Sequence, residues 1–166
     1  WTDLVVVKLT YPPGPQPLKR YRSGFRALIQ RCARPMLIIT DIPTPLHHGL
    51  LSYDGSPKSQ EALYMATYLA RQWQIALTVI TVIDGTRTTQ QTLDRARDYL
   101  TQHEIQAAYV AEQGPVAASI LRTAEKRDCD VIIVGGYTHA PLIEIIVGSN
   151  VDHLLRESYI PILVCR

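Results

Sequence analysis

DVIIVGGYTHAPLIEIIVGSNVDHLLRESYIPILVCR, residues Asp130 to Arg166, is the stretch that decides the fold. Val131 to Val134 is apolar and β-branched at every position, the pattern of a parallel strand buried on both faces, and Gly135-Gly136 ends it abruptly. An irregular stretch follows. Gly148-Ser149 then opens a helix carrying Val151, Leu154 and Leu155, and Pro161 separates that helix from the apolar run Ile162 to Val164. A strand end followed by a helix N-terminus offers exposed backbone N–H groups and the positive end of a dipole, which together suit a phosphate.

Moving upstream, the same alternation of strand and helix recurs. Leu50 to Tyr53 reads as a short strand ending at Asp54-Gly55-Ser56-Pro57, with Ser56 as N-cap and Pro57 at the first helical position. The helix that follows presents Ala62, Met65, Ala66, Leu69, Ala70 and Trp73 at spacings of three and four, predicting that this face is buried. Ile75 to Ile83 is a second strand ending at Asp84-Gly85. Thr88 to His103 reads as a helix with Leu93, Ala96, Tyr99 and Leu100 inward. Ala107 to Glu112 is a third strand, and Gly114-Pro115 opens a helix burying Val116, Ile120, Leu121 and Ala124. Strand and helix alternating in this way predict an α/β fold with an open, doubly wound parallel sheet of five strands.

The start of the chain repeats its end. Asp3-Leu4-Val5-Val6-Val7 follows the pattern of Asp130-Val131-Ile132-Ile133-Val134, and Arg22-Ser23 precedes Pro35 by the interval that separates Gly148-Ser149 from Pro161. Leu28 matches Leu154, Ile29 matches Leu155, and Met36 to Ile39 echoes Ile162 to Cys165. Residues 1–40 therefore read as the strand-helix-strand end of a first, degenerate copy, residues 41–49 as a linker, and residues 50–166 as a complete second copy. Lys8 and Arg22 stand where the second copy has Gly135 and Gly148, so the first copy is expected to bind no nucleotide. Two strands and a helix cannot stand alone. Leu37 and Ile38 are thus expected to pair with Ile162, Leu163 and Val164, within the chain or by self-association. Because the chain opens at Trp1 inside a strand pattern, it is taken as part of a longer tandem protein.

The spacing Gly135-x-x-Thr138, nine residues, Gly148-Ser149 resembles the universal stress protein signature Gly-x-x-Gly-(nine residues)-Gly-Ser/Thr, with Thr138 in place of the second glycine. Leu51 to Pro57 is similar to that family's first strand and turn, and Ile160 to Val164 to its last strand. The resemblance implies the strand order 3-2-1-4-5 of the adenine nucleotide alpha hydrolase-like fold. It also implies ATP binding at the strand tips, with Asp54 on the adenine or ribose side, the backbone near Val82 against the base, and Gly135, Thr138, Gly148 and Ser149 around the ribose and phosphates. Mg²⁺ is expected to accompany the phosphates. Each residue also has a purely structural role open to it, Asp54 and the glycines as turn formers and Ser149 as a helix cap.

Composition narrows the remaining classes. No apolar run reaches the length of a membrane span, and the 46% apolar content suits an ordinary folded core. Lys8, Lys19, Arg20, Arg22, Arg26, Arg31 and Arg34 face only Asp3 and Asp41 in the first 45 residues, but only Tyr21 and Phe25 are interleaved with them, so no nucleic-acid surface is expected. Cys32, Cys129 and Cys165 are odd in number and widely spaced, favouring reduced thiols and a cytoplasmic location. His47-His48 point opposite ways on an extended segment and suggest no metal site. Phosphate-loop, dinucleotide and nucleophile-elbow motifs are absent. The expected function is a stress-protein-like sensor or regulatory module that binds ATP, with no catalytic residue assigned and fast hydrolysis not expected. The alternative is a nucleotide-free module acting through protein contacts, and a regulatory domain of a transporter is a third.

Overall fold

A computed structural model describes residues 3–9, 24–136 and 150–165. Among the described residues the elements are β1 (Val5–Lys8), α1 (Gly24–Arg31), β2 (Met36–Ile39), β3 (His48–Ser52), α2 (Pro57–Trp73), β4 (Ala76–Val82), α3 (Gln90–Gln102), β5 (Ala107–Glu112), α4 (Val116–Lys126), β6 (Val131–Gly135), α5 (Asn150–Glu157) and β7 (Ile162–Cys165). All the strands join one seven-stranded sheet in the order β1-β2-β7-β6-β3-β4-β5, wider than the five strands expected. The added width has a simple cause. β1 and β2 are parallel neighbours, and β2 pairs antiparallel with β7 through Met36↔Val164, Leu37↔Leu163 and Ile38↔Ile162. That is the intramolecular pairing the sequence predicts, and every other ladder is parallel.

Each face of the sheet carries its own core. Leu50, Ile80, Ile132, Ile162 and Met36 pack with Ile120 of α4, Leu154 of α5 and Ile29 of α1 on one side. Leu51, Val79, Ile133 and Leu163 pack with Leu63 and Ala66 of α2 and Leu93 and Ala96 of α3 on the other. Burial on both faces is why β6 reads as a continuous apolar run.

Two local readings change. β3 starts at His48, inside the stretch expected to be linker, because the Asp130 carboxylate accepts from the backbone N–H groups of His47 (2.7 Å) and His48 (2.9 Å) and ties them to the foot of β6. Trp73, expected inward, is 53% exposed, and Leu63, absent from the predicted face, is fully buried. The helix ends at Trp73 with Gln74 left-handed at its C-cap, so its last residue lies beyond the edge of the core.

Candidate functional site

A cleft of about 610 Å³ opens at the carboxyl ends of β3, β4 and β6. Asp54, Val82 and Gly135, three of the residues predicted for the site, all line it. Their convergence follows from the topology, since β3 lies between β6 and β4 and the crevice beyond central strand tips is where open parallel sheets take ligands. Thr138, Gly148 and Ser149 lie outside the described residues, and the beginning of α5 reaches the cleft through Asn150 and Val151.

At the β3 tip, Gly55 adopts φ +78° and the exposed Asp54 turns back so that its Oδ1 accepts from the Ser56 N–H at 2.9 Å. Ser56 then caps α2, its Oγ accepting from the Ser59 N–H at 3.2 Å, with Pro57 at the first helical position. Asp54 thus fills the turn-forming role, leaving Oδ2 directed to no hydrogen bond among those described.

The β4 tip is built around Asp84. Its Oδ1 accepts from the backbone N–H groups of Thr86 (2.9 Å), Arg87 (2.8 Å) and Thr88 (2.9 Å), and these donors hold the carboxyl far below the usual carboxylate range. The Thr88 hydroxyl donates to the Val82 carbonyl at 2.7 Å and accepts from the Asp84 N–H at 3.0 Å. The Ile83 N–H donates to the Glu112 carbonyl at 2.8 Å. Val82 lines the cleft, and its carbonyl, which accepts from the Thr88 hydroxyl, has the capacity for a second hydrogen bond.

Gly135 has a role that the sequence does not reveal. A Cβ at this position would lie 2.6 Å from the backbone C and O of Lys58 and 2.8 Å from the Ser59 nitrogen. The glycine lets the first turn of α2 sit against the end of β6, so it shapes the cleft wall before any ligand enters. Next to it, the Gly136 N–H donates to the Cys165 carbonyl at 2.6 Å.

Lys58, Ser59, Arg87, Thr88 and Gly114 also line the cleft and were not predicted. The helix-opening sequence Ser56-Pro57 places Lys58 and Ser59 in the first turn after the β3 tip, a signal available in the sequence, whereas nothing there places Arg87 toward a ligand. Among the described residues no group of three or more His, Cys, Asp or Glu side chains is arranged to hold a metal ion, and no helix is long and apolar enough to cross a membrane.

Comparison with known proteins identifies the family and the fold. The family profile described as the universal stress protein family matches residues 47–166. The universal stress protein Slr1230 of Synechocystis sp. is 22% identical over 153 residues, a match covering 87% of this chain and 51% of that protein. The chain thus spans about half the length of this curated relative. Among solved structures, a universal stress protein from Archaeoglobus fulgidus aligns with TM-score 0.78 at 19% identity, over 99% of this chain and 60% of that one. A universal stress protein in complex with cAMP aligns with TM-score 0.62 at 15% identity, over 74% of this chain and 99% of that one. The motifs, the α/β sheet and the profile match over most of the chain lead to one conclusion: this chain belongs to the universal stress protein family.

Proposed function

We propose that the chain binds an adenine nucleotide, ATP first among them, in the cleft at the tips of β3, β4 and β6, and uses it as a sensor or regulatory signal. The observation that carries the reading is the meeting of Asp54, Val82 and Gly135 at one cleft of about 610 Å³, a volume within the ordinary range for small-molecule sites. In this reading Asp54 Oδ2 accepts from the ribose or base, the open lone pair of Val82 accepts from the exocyclic amine, and Thr138, Gly148 and Ser149 complete the phosphate end. Mg²⁺ would be held chiefly by the phosphates, in keeping with the small number of protein ligands this ion often takes. The family relative in complex with cAMP supports a nucleotide of this kind.

We propose a binding role and no enzymatic one. Asp54 and Asp84 are the carboxylates among the described cleft residues; Asp54 accepts from the Ser56 N–H within its own turn, and the three backbone N–H groups on Asp84 hold that carboxylate in a weakly basic, ionised form ill suited to general-base work.

The tandem reading gains support from register. The repeat alignment sets Val5 against Ile132 and Met36 against Ile162, and the ladders pair Val5↔Met36 and Ile132↔Ile162 alike. Leu37↔Leu163, equivalent residues of the two copies, pair with each other at the centre of the β2–β7 ladder. Residues 1–40 are then the end of a degenerate preceding copy and residues 50–166 a complete one, whose strands run 3-2-1-4-5 when counted from β3. Lys8, at the register position of Gly135, pairs with Asp41 at 2.7 Å. A cytoplasmic location rests on the three unbridged cysteines. The rival reading, a nucleotide-free module working through protein contacts, is favoured by the exposure of Val6 (56%) and Leu28 (44%) on the β1–α1–β2 segment.

A thermal-shift titration separates the two. A ligand that binds only the folded chain stabilises it by about 2.7 kcal/mol at a hundred times Kd. ATP is expected to raise Tm in a saturable way and Asp54→Ala to abolish most of the rise; no shift with millimolar Mg-ATP, ADP or AMP would favour the rival.

A further inference from the structure

The first turn of α2 brings to the cleft a lysine whose charge is paired with Glu61, behind the cleft lining, and no structural role accounts for it. Lys58 lines the cleft with 21% of its side chain exposed, and its Nζ lies 3.2 Å from Glu61 Oε1. Glu61 Oε2 is buried and finds no hydrogen-bond partner among the described residues. The same carboxylate lies near Cys165, whose thiol is pushed up to about 12, first by burial and then by this charge. Glu61 is therefore a half-satisfied anion set against apolar strand ends, with Lys58 as its cation. The backbone of Lys58 packs against Gly135, so its flexible side chain starts beside the end of β6 and lines the cleft. A lysine has three rotatable donors on a flexible stem and can exchange one anion for another. A partly exposed ion pair is weak, and a phosphate offers it more charge than one carboxylate does.

We propose that Lys58 reads the phosphate of the ligand and is held in reserve by Glu61, so that the Lys58–Glu61 pair sets the preference for phosphorylated over unphosphorylated ligands. The proposal rests on the nucleotide reading above. A phosphate entering beside Gly135 draws the ammonium off Glu61, and the strength of the Glu61 contact fixes how readily that happens.

The test is calorimetric titration of the full chain with adenosine, AMP and ATP, using the unmodified protein, Lys58→Gln, Lys58→Arg, Glu61→Gln and the double variant Lys58→Gln/Glu61→Gln, each checked for an unchanged circular dichroism spectrum. Lys58→Gln is expected to weaken AMP and ATP binding about tenfold or more, the usual size of a charge-assisted contact, with adenosine unaffected. Lys58→Arg is expected to retain most of the phosphate preference. Glu61→Gln is expected to tighten ATP a few fold by releasing the ammonium, and that gain should vanish once Lys58 is gone. Equal loss of adenosine and ATP in Lys58→Gln would overturn the proposal, as would a Glu61→Gln gain that persists without Lys58, since the carboxylate would then be repelling phosphate directly. Binding of all three ligands with the same affinity in the unmodified protein and in Lys58→Gln overturns this proposal alone, whereas no binding to the unmodified chain overturns the nucleotide reading with it.

Discussion

Single atoms decide several properties of this chain. Gly135 has no room for a methyl group because its neighbour is helix backbone, which cannot swing aside as a side chain could. Gly135→Ala is therefore expected to cost about 1–3 kcal/mol in urea unfolding and to weaken ligand binding by shifting the start of α2. Gly136→Ala, whose nearest neighbour would lie at 3.1 Å, should cost less; the reverse order would contradict the packing. Asp84 titrates well below an ordinary carboxylate because the N–H groups of Thr88, Thr86 and Arg87 favour its charged form. A folded-state pKa depressed below the unfolded one gives stability that is present above the unfolded value and is lost as pH falls through the folded one. The Asp84 carboxyl resonance is thus expected to move only in strongly acidic solution, and Asp84→Asn should loosen the 84–88 turn, read as faster amide exchange at Thr86, Arg87 and Thr88. Burial raises the thiol of Cys129 to about 11 and that of Cys165 to about 12, so at pH 8 both are protonated. Both should resist iodoacetamide in the folded chain and react in urea; rapid alkylation of Cys165 in native buffer would show that β7 opens.

Among the elements, α2 couples core to cleft. Leu63 and Ala66 are fully buried against the sheet, while the first turn lines the ligand wall. Leu63→Ala is expected to cost about 2–5 kcal/mol. Trp73→Ala, although it removes a larger side chain, should cost under about 1 kcal/mol, because Trp73 is 53% exposed. Denaturant melts of the two variants check the ranking. A reading of the apolar spacing alone would rank them the other way, because periodicity reports the direction of a side chain and not how far the sheet beneath it extends. The strand elements were more legible. β6 is an apolar run and β4 nearly one, its Thr78 and Thr81 buried like their neighbours, and a strand buried on both faces leaves little ambiguity about burial. Asp54, Val82 and Gly135 could be placed at one cleft because each lies at or just past a strand end and the family resemblance supplies the strand order and the roles of Asp54 and Val82. Lys58 was legible in position but not in role: Ser56-Pro57 sets it in the first turn of the helix, yet a lysine there carries no mark that separates a solvated charge from one turned into a cleft. The reason for Gly135 was hidden likewise: its obstacle is the backbone of Lys58, a contact made across the fold.

At the scale of the whole molecule, the antiparallel β2–β7 ladder joins two parallel blocks, β1-β2 and β7-β6-β3-β4-β5. β7 is buried at each of its four positions, and among the described residues its outer edge is covered by β2. If β2 were removed, the backbone groups that pair with Met36, Leu37 and Ile38 would be left unpaired along an apolar strand, a strong template for another chain. A chain of residues 41–166, lacking β1, α1 and β2, is therefore expected to fold and to associate through β7, replacing Leu37↔Leu163 with Leu163 against its own counterpart. Sedimentation over a range of concentrations should show a dimer for the shortened chain and a smaller assembly tendency for the full one. Leu163→Lys in the shortened chain should return it to monomer, because two like charges would face each other at the centre of a two-fold ladder. A shortened chain that stays monomeric with its β7 amides slow to exchange would mean that another part of the sequence closes this edge, and the case for residues 1–40 as the end of an equivalent copy would lose its physical basis.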